Sequence, residues 1–153
     1  SRLDRFRLRW NGVVYEPGEI KVVAYGSDGS VIGEQTIATA GEPTAMSLSS
    51  DRNTINADKD DMAFIEVSMT DAKGTFCPTL SDDLTFEVSG AGSFEAACNG
   101  DATSLQPFKQ PEMKLFSGKA VVIVRSNGKR GPINLTVTNR QRNITKTITI
   151  EAR

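Results

Sequence analysis

The feature that most constrains this chain is a two-residue rhythm of apolar and polar side chains, broken at short intervals by turn formers. Phe6, Leu8 and Trp10 alternate with Arg5, Arg7 and Arg9, and Ile20, Val22 and Ala24 with Lys21, Val23 and Tyr25. The same rhythm returns at Ile65, Val67 and Met69, at Leu84, Phe86 and Val88, at Ile133, Leu135 and Val137, and at Ile144, Ile148 and Ile150. Successive side chains of a strand point to opposite faces, so this period puts the apolar set on one side. Ala120-Val121-Val122-Ile123-Val124 is instead unbroken, the pattern of a strand buried on both faces. Between the runs lie Asn11-Gly12, Glu16-Pro17-Gly18-Glu19, Ser27-Asp28-Gly29-Ser30, Asp71-Ala72-Lys73-Gly74, Gly90-Ala91-Gly92 and Asn127-Gly128. No long 3.6-residue period appears, and an all-β chain is expected.

Ala40-Gly41-Glu42-Pro43 divides the chain unequally. Residues 1–40 hold three strand-like runs, the third at Val31–Ile37, too few to close a core. They read as the C-terminal strands of a preceding sandwich domain, and residues 41–43 read as a linker. Gly41 permits bending, while Pro43 pushes Glu42 toward extended geometry. Residues 44–153 hold about seven short strands with a turn signal every 8–12 residues, the sequence picture of an immunoglobulin-like β-sandwich. Asp51–Asp61 reads as polar turn, and Ser93–Gln110 as loop-rich around Asn99-Gly100-Asp101. The chain opens Ser1-Arg2-Leu3-Asp4 without Met, as a segment of a longer protein would. Uncovered, residues 1–40 would expose Phe6, Leu8, Ile20 and Val22. They are expected to pack on the second domain or on another copy of the chain, which would make residues 1–40 a homo-oligomer contact.

Composition removes several chemistries. There is no histidine, so neither a Ser-His-Asp nor a Cys-His mechanism can be assembled, and two cysteines cannot cage zinc. No catalytic residue, metal ligand or cofactor is assigned. Asn56-Ala57-Asp58-Lys59-Asp60 resembles the start of a calcium loop, but its sixth and twelfth positions are Asp61 and Val67 instead of Gly and Glu. Asp60-Asp61 and Asp82-Asp83 are adjacent, and neighbours on a strand face opposite ways, so neither forms a carboxylate pair across a cleft. Cys77 and Cys98 read as two free, partly buried thiols in preference to a bridge. A net charge of −1 with 24% charged residues gives no nucleic-acid footprint. No apolar run approaches the length of a membrane-spanning helix, so no membrane insertion is expected.

Two binding candidates survive. Trp10 and Tyr15, with Tyr25 near by in sequence, could form a stacking platform for a sugar ring, although a lone Trp in an alternating strand more often belongs to a core. The loop Asn99-Gly100-Asp101-Ala102-Thr103-Ser104 is dense in polar groups and could meet a partner or glycan, against the plainer reading of a tight, self-capped turn. Arg5, Arg7 and Arg9 read as a solvated face. The sequons at Asn134-Leu135-Thr136 and Asn143-Ile144-Thr145 matter only in a eukaryotic secretory route.

Certain strings go beyond pattern. Leu8-Arg9-Trp10, the run from Tyr15 to Tyr25, and Thr39-Ala40-Gly41-Glu42-Pro43 resemble the end of an accessory sandwich in bacterial glycoside hydrolase family 2 enzymes of the β-galactosidase type. Asp51-Arg52, Ile55, Ala57-Asp58, Asn99 to Ser104, Phe108, Phe116 and Gly118 resemble the immunoglobulin-like domain that follows it there. That family's catalytic pair is two glutamates on a TIM barrel, and no position here matches that motif. The resemblance implies a non-catalytic C-terminal accessory segment of a periplasmic or extracellular enzyme, with neighbouring domains of the parent enzyme as partners. A cell-surface adhesin repeat and a carbohydrate-binding module are the alternatives.

Overall fold

The computed structural model describes residues 8–153. The chain divides into two compact units, Ser1–Thr39 and Ala40–Arg153.

In the first unit, β1 (Glu19–Tyr25) and β2 (Val31–Ala38) form an antiparallel hairpin. The Gly26 N–H donates to the Ser30 carbonyl at 2.7 Å, and Asp28 Oδ1 accepts from both the amide and the hydroxyl of Ser30. Gly29 takes φ 81°, the left-handed geometry that glycine adopts without steric cost. Ile20 pairs with Ile37 and Val22 with Gln35, so Ile20, Val22 and Ile37 share one face, and all three are exposed. The first of the three expected strands differs. Leu8, Arg9 and Trp10 are irregular and exposed, while Arg5, Phe6 and Arg7 lie outside the described residues. Alternation alone does not make a strand; it needs a neighbour to take up its backbone N–H and C=O groups.

The second unit is a β-sandwich. One sheet has the order β3-β5-β9-β7, from Pro43–Ser50, Met62–Asp71, Lys119–Ser126 and Gly92–Cys98. The other has the order β4-β11-β10-β6-β8, from Thr54–Ile55, Ile144–Ala152, Gly131–Asn139, Asp83–Gly90 and Glu112–Lys114. From β3 to β10 sequential strands thus pass from sheet to sheet, while β10 and β11 form a hairpin within one. β4 runs parallel to β11, and the other pairings are antiparallel. The core lies between the sheets. Ile65, Val67, Met69, Val122 and Val124 come from one, and Leu84, Ile133, Leu135, Val137 and Ile150 from the other, all nearly inaccessible to water. Each such side chain contributes about 1.5–3 kcal/mol of transfer free energy before ordering costs.

Gly90-Ala91-Gly92 is the tight crossing from β6 in one sheet to β7 in the other. Ala91 donates its N–H to the Pro132 carbonyl at 2.8 Å. Gly90 has φ 87°, and a Cβ there would stand 2.1 Å from the Pro132 oxygen, so only glycine fits.

Four local expectations change. Ala120–Val124 is not buried on both faces: Ala120, Val122 and Val124 are buried, whereas Val121 and Ile123 are half-exposed on the outer side. Ser93–Gln110 is not all loop, because Gly92–Cys98 is β7. Its register shifts between Phe94 and Ala96, and this bulge at Glu95 destroys the two-residue rhythm that would have marked it. The polar stretch Asp51–Asp61 contains β4, held by two backbone pairs to β11. Pro43 opens β3 and does not belong to a free linker; at the first residue of an edge strand its missing N–H costs no ladder bond. Gly41 is also held, its N–H donating to Asp71 Oδ2 at 2.8 Å. The Asp71 carboxyl sits below its usual range because that amide and those of Thr75 and Lys73 favour the anion.

Candidate functional site

The two outer faces of the sandwich differ in chemistry. On the β3-β5-β9-β7 sheet, cross-strand pairing puts Phe64 beside Ile123, Ile123 beside Ala96, and Val121 beside Cys98, all away from the core. Phe64 is 44% exposed and the others are half-buried. Charged pairs frame this strip. Lys119 Nζ lies 2.9 Å from Glu66 Oε1, and it also sits 5.3 Å from the centroid of the Phe76 ring. At the other end Glu95 binds Arg125 Nε at 2.8 Å and Lys109 Nζ. The Arg125 guanidinium and then the Lys109 ammonium pull the Glu95 carboxyl down to about 2.

On the opposite sheet the outward positions are Thr85, Thr136, Thr138, Thr145, Thr147 and Thr149, with Asn134 and Glu87. Hydroxyls pair across the strands, Thr136 with Thr147 at 2.9 Å and Thr138 with Thr145 at 3.2 Å. Threonine supplies β-branching for the strand and a hydroxyl for water. This face is suited to solvent, and the other to being covered.

The sequence candidates do not assemble into one site. Trp10 and Tyr15 lie in irregular segments of the first unit and are 62% and 73% exposed, so Trp10 is not a core residue of a strand. The Tyr15 hydroxyl lies 3.2 Å from Thr39 Oγ1, which also accepts the Gly18 N–H. Asn99, Gly100 and Asp101 form a self-capped turn in the second unit. Asn99 Nδ2 donates to the Lys114 carbonyl at 2.8 Å, and Asn99 Oδ1 accepts the Asp101 N–H at 3.1 Å. Asp101 Oδ1 accepts the hydroxyl and the amide of Thr103, which lower the Asp101 pKa in that order. These polar groups are spent within the loop. Cys77 and Cys98 are free thiols; Cys77 is buried, and burial followed by the nearby Asp71 charge pushes its pKa up. Among the described residues no group of three or more acidic or cysteine side chains is placed to hold a metal.

The outward apolar strip went unnoticed in the sequence. Its signal was present: Phe64 falls on the polar beat of β5, and Val121 and Ile123 fill the polar beat of β9.

A two-sheet sandwich of immunoglobulin plan, with one outer face carrying an apolar strip and the other rows of threonine, defines an all-β domain. Comparison with known proteins gives its family. Residues 46–148 match the profile described as glycoside hydrolase family 2 C-terminal domain 5, and residues 1–33 match a profile described as a domain of unknown function (DUF4982). The chain belongs to glycoside hydrolase family 2 as a C-terminal region. It is 38% identical over 137 residues to a β-galactosidase of Bacteroides ovatus, covering 90% of this chain and 16% of that protein. It is 32% identical over 94 residues to a β-glucuronidase of Formosa agariphila, covering 60% of this chain and 10% of that protein. Among solved structures, a family 2 member from Bacteroides cellulosilyticus matches with a TM-score of 0.87 at 28% identity, over 92% of this chain and 18% of that one. The chain therefore spans only a small fraction of the length of its relatives.

Proposed function

We propose that this chain is a non-catalytic accessory segment of a carbohydrate-acting family 2 glycoside hydrolase, and that its work is structural. The observation that carries this reading is the match of residues 46–148 to a C-terminal domain of the family, in a chain that covers 16% of the length of its β-galactosidase relative. The apolar strip around Phe64 and Ile123 supports it, since such a surface gains free energy when a neighbouring domain of the same polypeptide covers it. In this reading the hairpin of the first unit completes a sandwich whose other strands precede it, and those strands cover Ile20, Val22 and Ile37. A second copy of the chain is the other surface that residues 1–40 could meet. By the same family resemblance the parent enzyme works in the periplasm or outside the cell.

Two measurements test the proposal. Residues 1–153 alone should not turn over nitrophenyl β-galactoside or nitrophenyl β-glucuronide, and turnover by this segment would overturn the reading. A parent enzyme lacking residues 44–153 should keep its KM while losing thermal stability. Loss of substrate affinity with stability intact would place the segment at the active site instead.

A further inference from the structure

At one edge of the threonine-faced sheet, over Leu84, the sandwich holds an open surface cleft of about 410 Å³, within the usual range for small-ligand sites of ~300–1,000 Å³. Its side chains come from three places: Asp83 and Thr85 at the start of β6, Gln106 and Glu112 in and before β8, and Arg140 and Gln141 in the turn from β10 to β11. Thr85 and Glu112 are direct cross-strand partners and so project from the same side of the sheet.

The two glutamines are held in position. Gln141 Oε1 accepts the Asp83 N–H at 2.9 Å, and Gln106 Oε1 accepts the Lys114 N–H at 3.0 Å. A backbone N–H can bond only to the amide oxygen, so each contact sets which way the amide points and leaves its NH₂ donors available. The charged groups are also available. Arg142, two residues from Arg140, is committed to Asp82 at 2.5 Å, whereas among the described residues neither Arg140 nor Asp83 nor Glu112 enters an ion pair. The cleft thus combines fixed N–H donors, a free guanidinium, a hydroxyl and two free carboxylates.

We propose that this cleft binds a neutral saccharide through adjacent hydroxyl groups. A vicinal diol is both donor and acceptor: one hydroxyl can donate a hydrogen bond to Asp83 or Glu112 while its neighbour accepts from Arg140, Gln106 or Gln141. Asp83 and Glu112 are balanced by Arg140 and by Lys114, the direct cross-strand partner of Asp83, so the site has no net charge to favour an anionic sugar. No aromatic ring lines the cleft, so affinity is weak, in the millimolar range, and suits retention of a polymer by repeated contact more than capture of a single sugar. The saccharide class rests on the reading of the chain as part of a carbohydrate-acting enzyme; the location of the site rests on the geometry alone.

The test is a titration of isotopically labelled residues 1–153 with methyl β-galactoside, lactose and glucuronate, followed by nuclear magnetic resonance. Saturable shifts of the Gln106 and Gln141 side-chain amides with the neutral sugars, and no tighter binding of glucuronate, are expected. Glu112→Gln and Arg140→Ala should each weaken binding by about tenfold while preserving spectral dispersion. If either variant fails to fold, Thr85→Ala in the same titration supplies the readout. The proposal is overturned by absence of saturable shifts, by shifts confined to Trp10 and Tyr15, or by tighter binding of glucuronate. Such a failure would leave the accessory role standing, because that role is read from turnover and from stability of the parent enzyme.

Discussion

The two outer faces of the sandwich obey the same alternation and carry opposite chemistry. One presents Phe64, Val121, Ile123, Ala96 and Cys98 within a frame of ion pairs; the other presents rows of threonine whose hydroxyls pair across strands. Both sheets bury equivalent inner faces, so the core does not distinguish them. The difference teaches that the inner beat of a strand reports folding, while the outer beat reports what the folded surface is to meet. A threonine face can stay in water indefinitely. An apolar strip bordered by charge is stable in water only at a cost, and a covering partner recovers that cost.

The largest expected effect tests what sets the two faces back to back. Gly90→Ala forces a Cβ against the Pro132 carbonyl at positive φ, and it should cost at least ~3 kcal/mol or prevent folding, as measured by urea denaturation. A loss below ~1 kcal/mol would mean that the crossing is not held by close backbone approach. Next comes Leu135→Ala, which opens a cavity between the sheets and should cost about 2–5 kcal/mol in the same measurement.

The outer faces themselves are separated by comparing the segment with its parent enzyme. Phe64→Ser with Ile123→Ser should cost the segment about 1 kcal/mol and lower the melting temperature of the parent enzyme by more than that loss accounts for. An equal loss in both would show that nothing covers the strip.

Glu95 at the border of the strip gives a pH test. Its folded carboxyl titrates at about 2, below the ordinary 4.5, because Arg125 and Lys109 hold the anion. As pH falls below 4.5 the unfolded chain takes up this proton first, so the stability Glu95 supplies is complete above that pH and lost as pH drops through about 2. Thermal melts of Glu95→Gln should therefore fall less steeply with acid than those of the parent sequence, and identical slopes would sink the assignment. Smallest of all, Thr136→Ser should leave stability within ~0.5 kcal/mol in both the segment and the parent enzyme.

Much of this was legible in the sequence. The all-β class, the inward sets of β5, β6 and β10, and the hairpin turn at Ser27–Ser30 followed from period and turn chemistry. The family was legible too, from short strings such as Asn99-Gly100-Asp101 whose order was specific even where each was brief. Other features were hidden for identifiable reasons. The bulge at Glu95 masked β7 by shifting its period, and β4 is too short to show one. Trp10 kept its alternating neighbours without becoming part of a strand, because alternation does not provide a pairing partner. The cleft was invisible, since Gln106, Glu112 and Arg140 are ordinary surface residues until three separate segments bring them together.

By itself, then, the sequence determined what each strand buries, because side-chain direction in a strand is a local matter of two residues per repeat. Only the tertiary structure decided which strands lie side by side. Every backbone offers the same donors and acceptors, so the choice of neighbour falls to the packing of the whole core. That choice set Phe64 beside Ile123 to make a dry strip, and brought Asp83, Gln106 and Arg140 around one cleft.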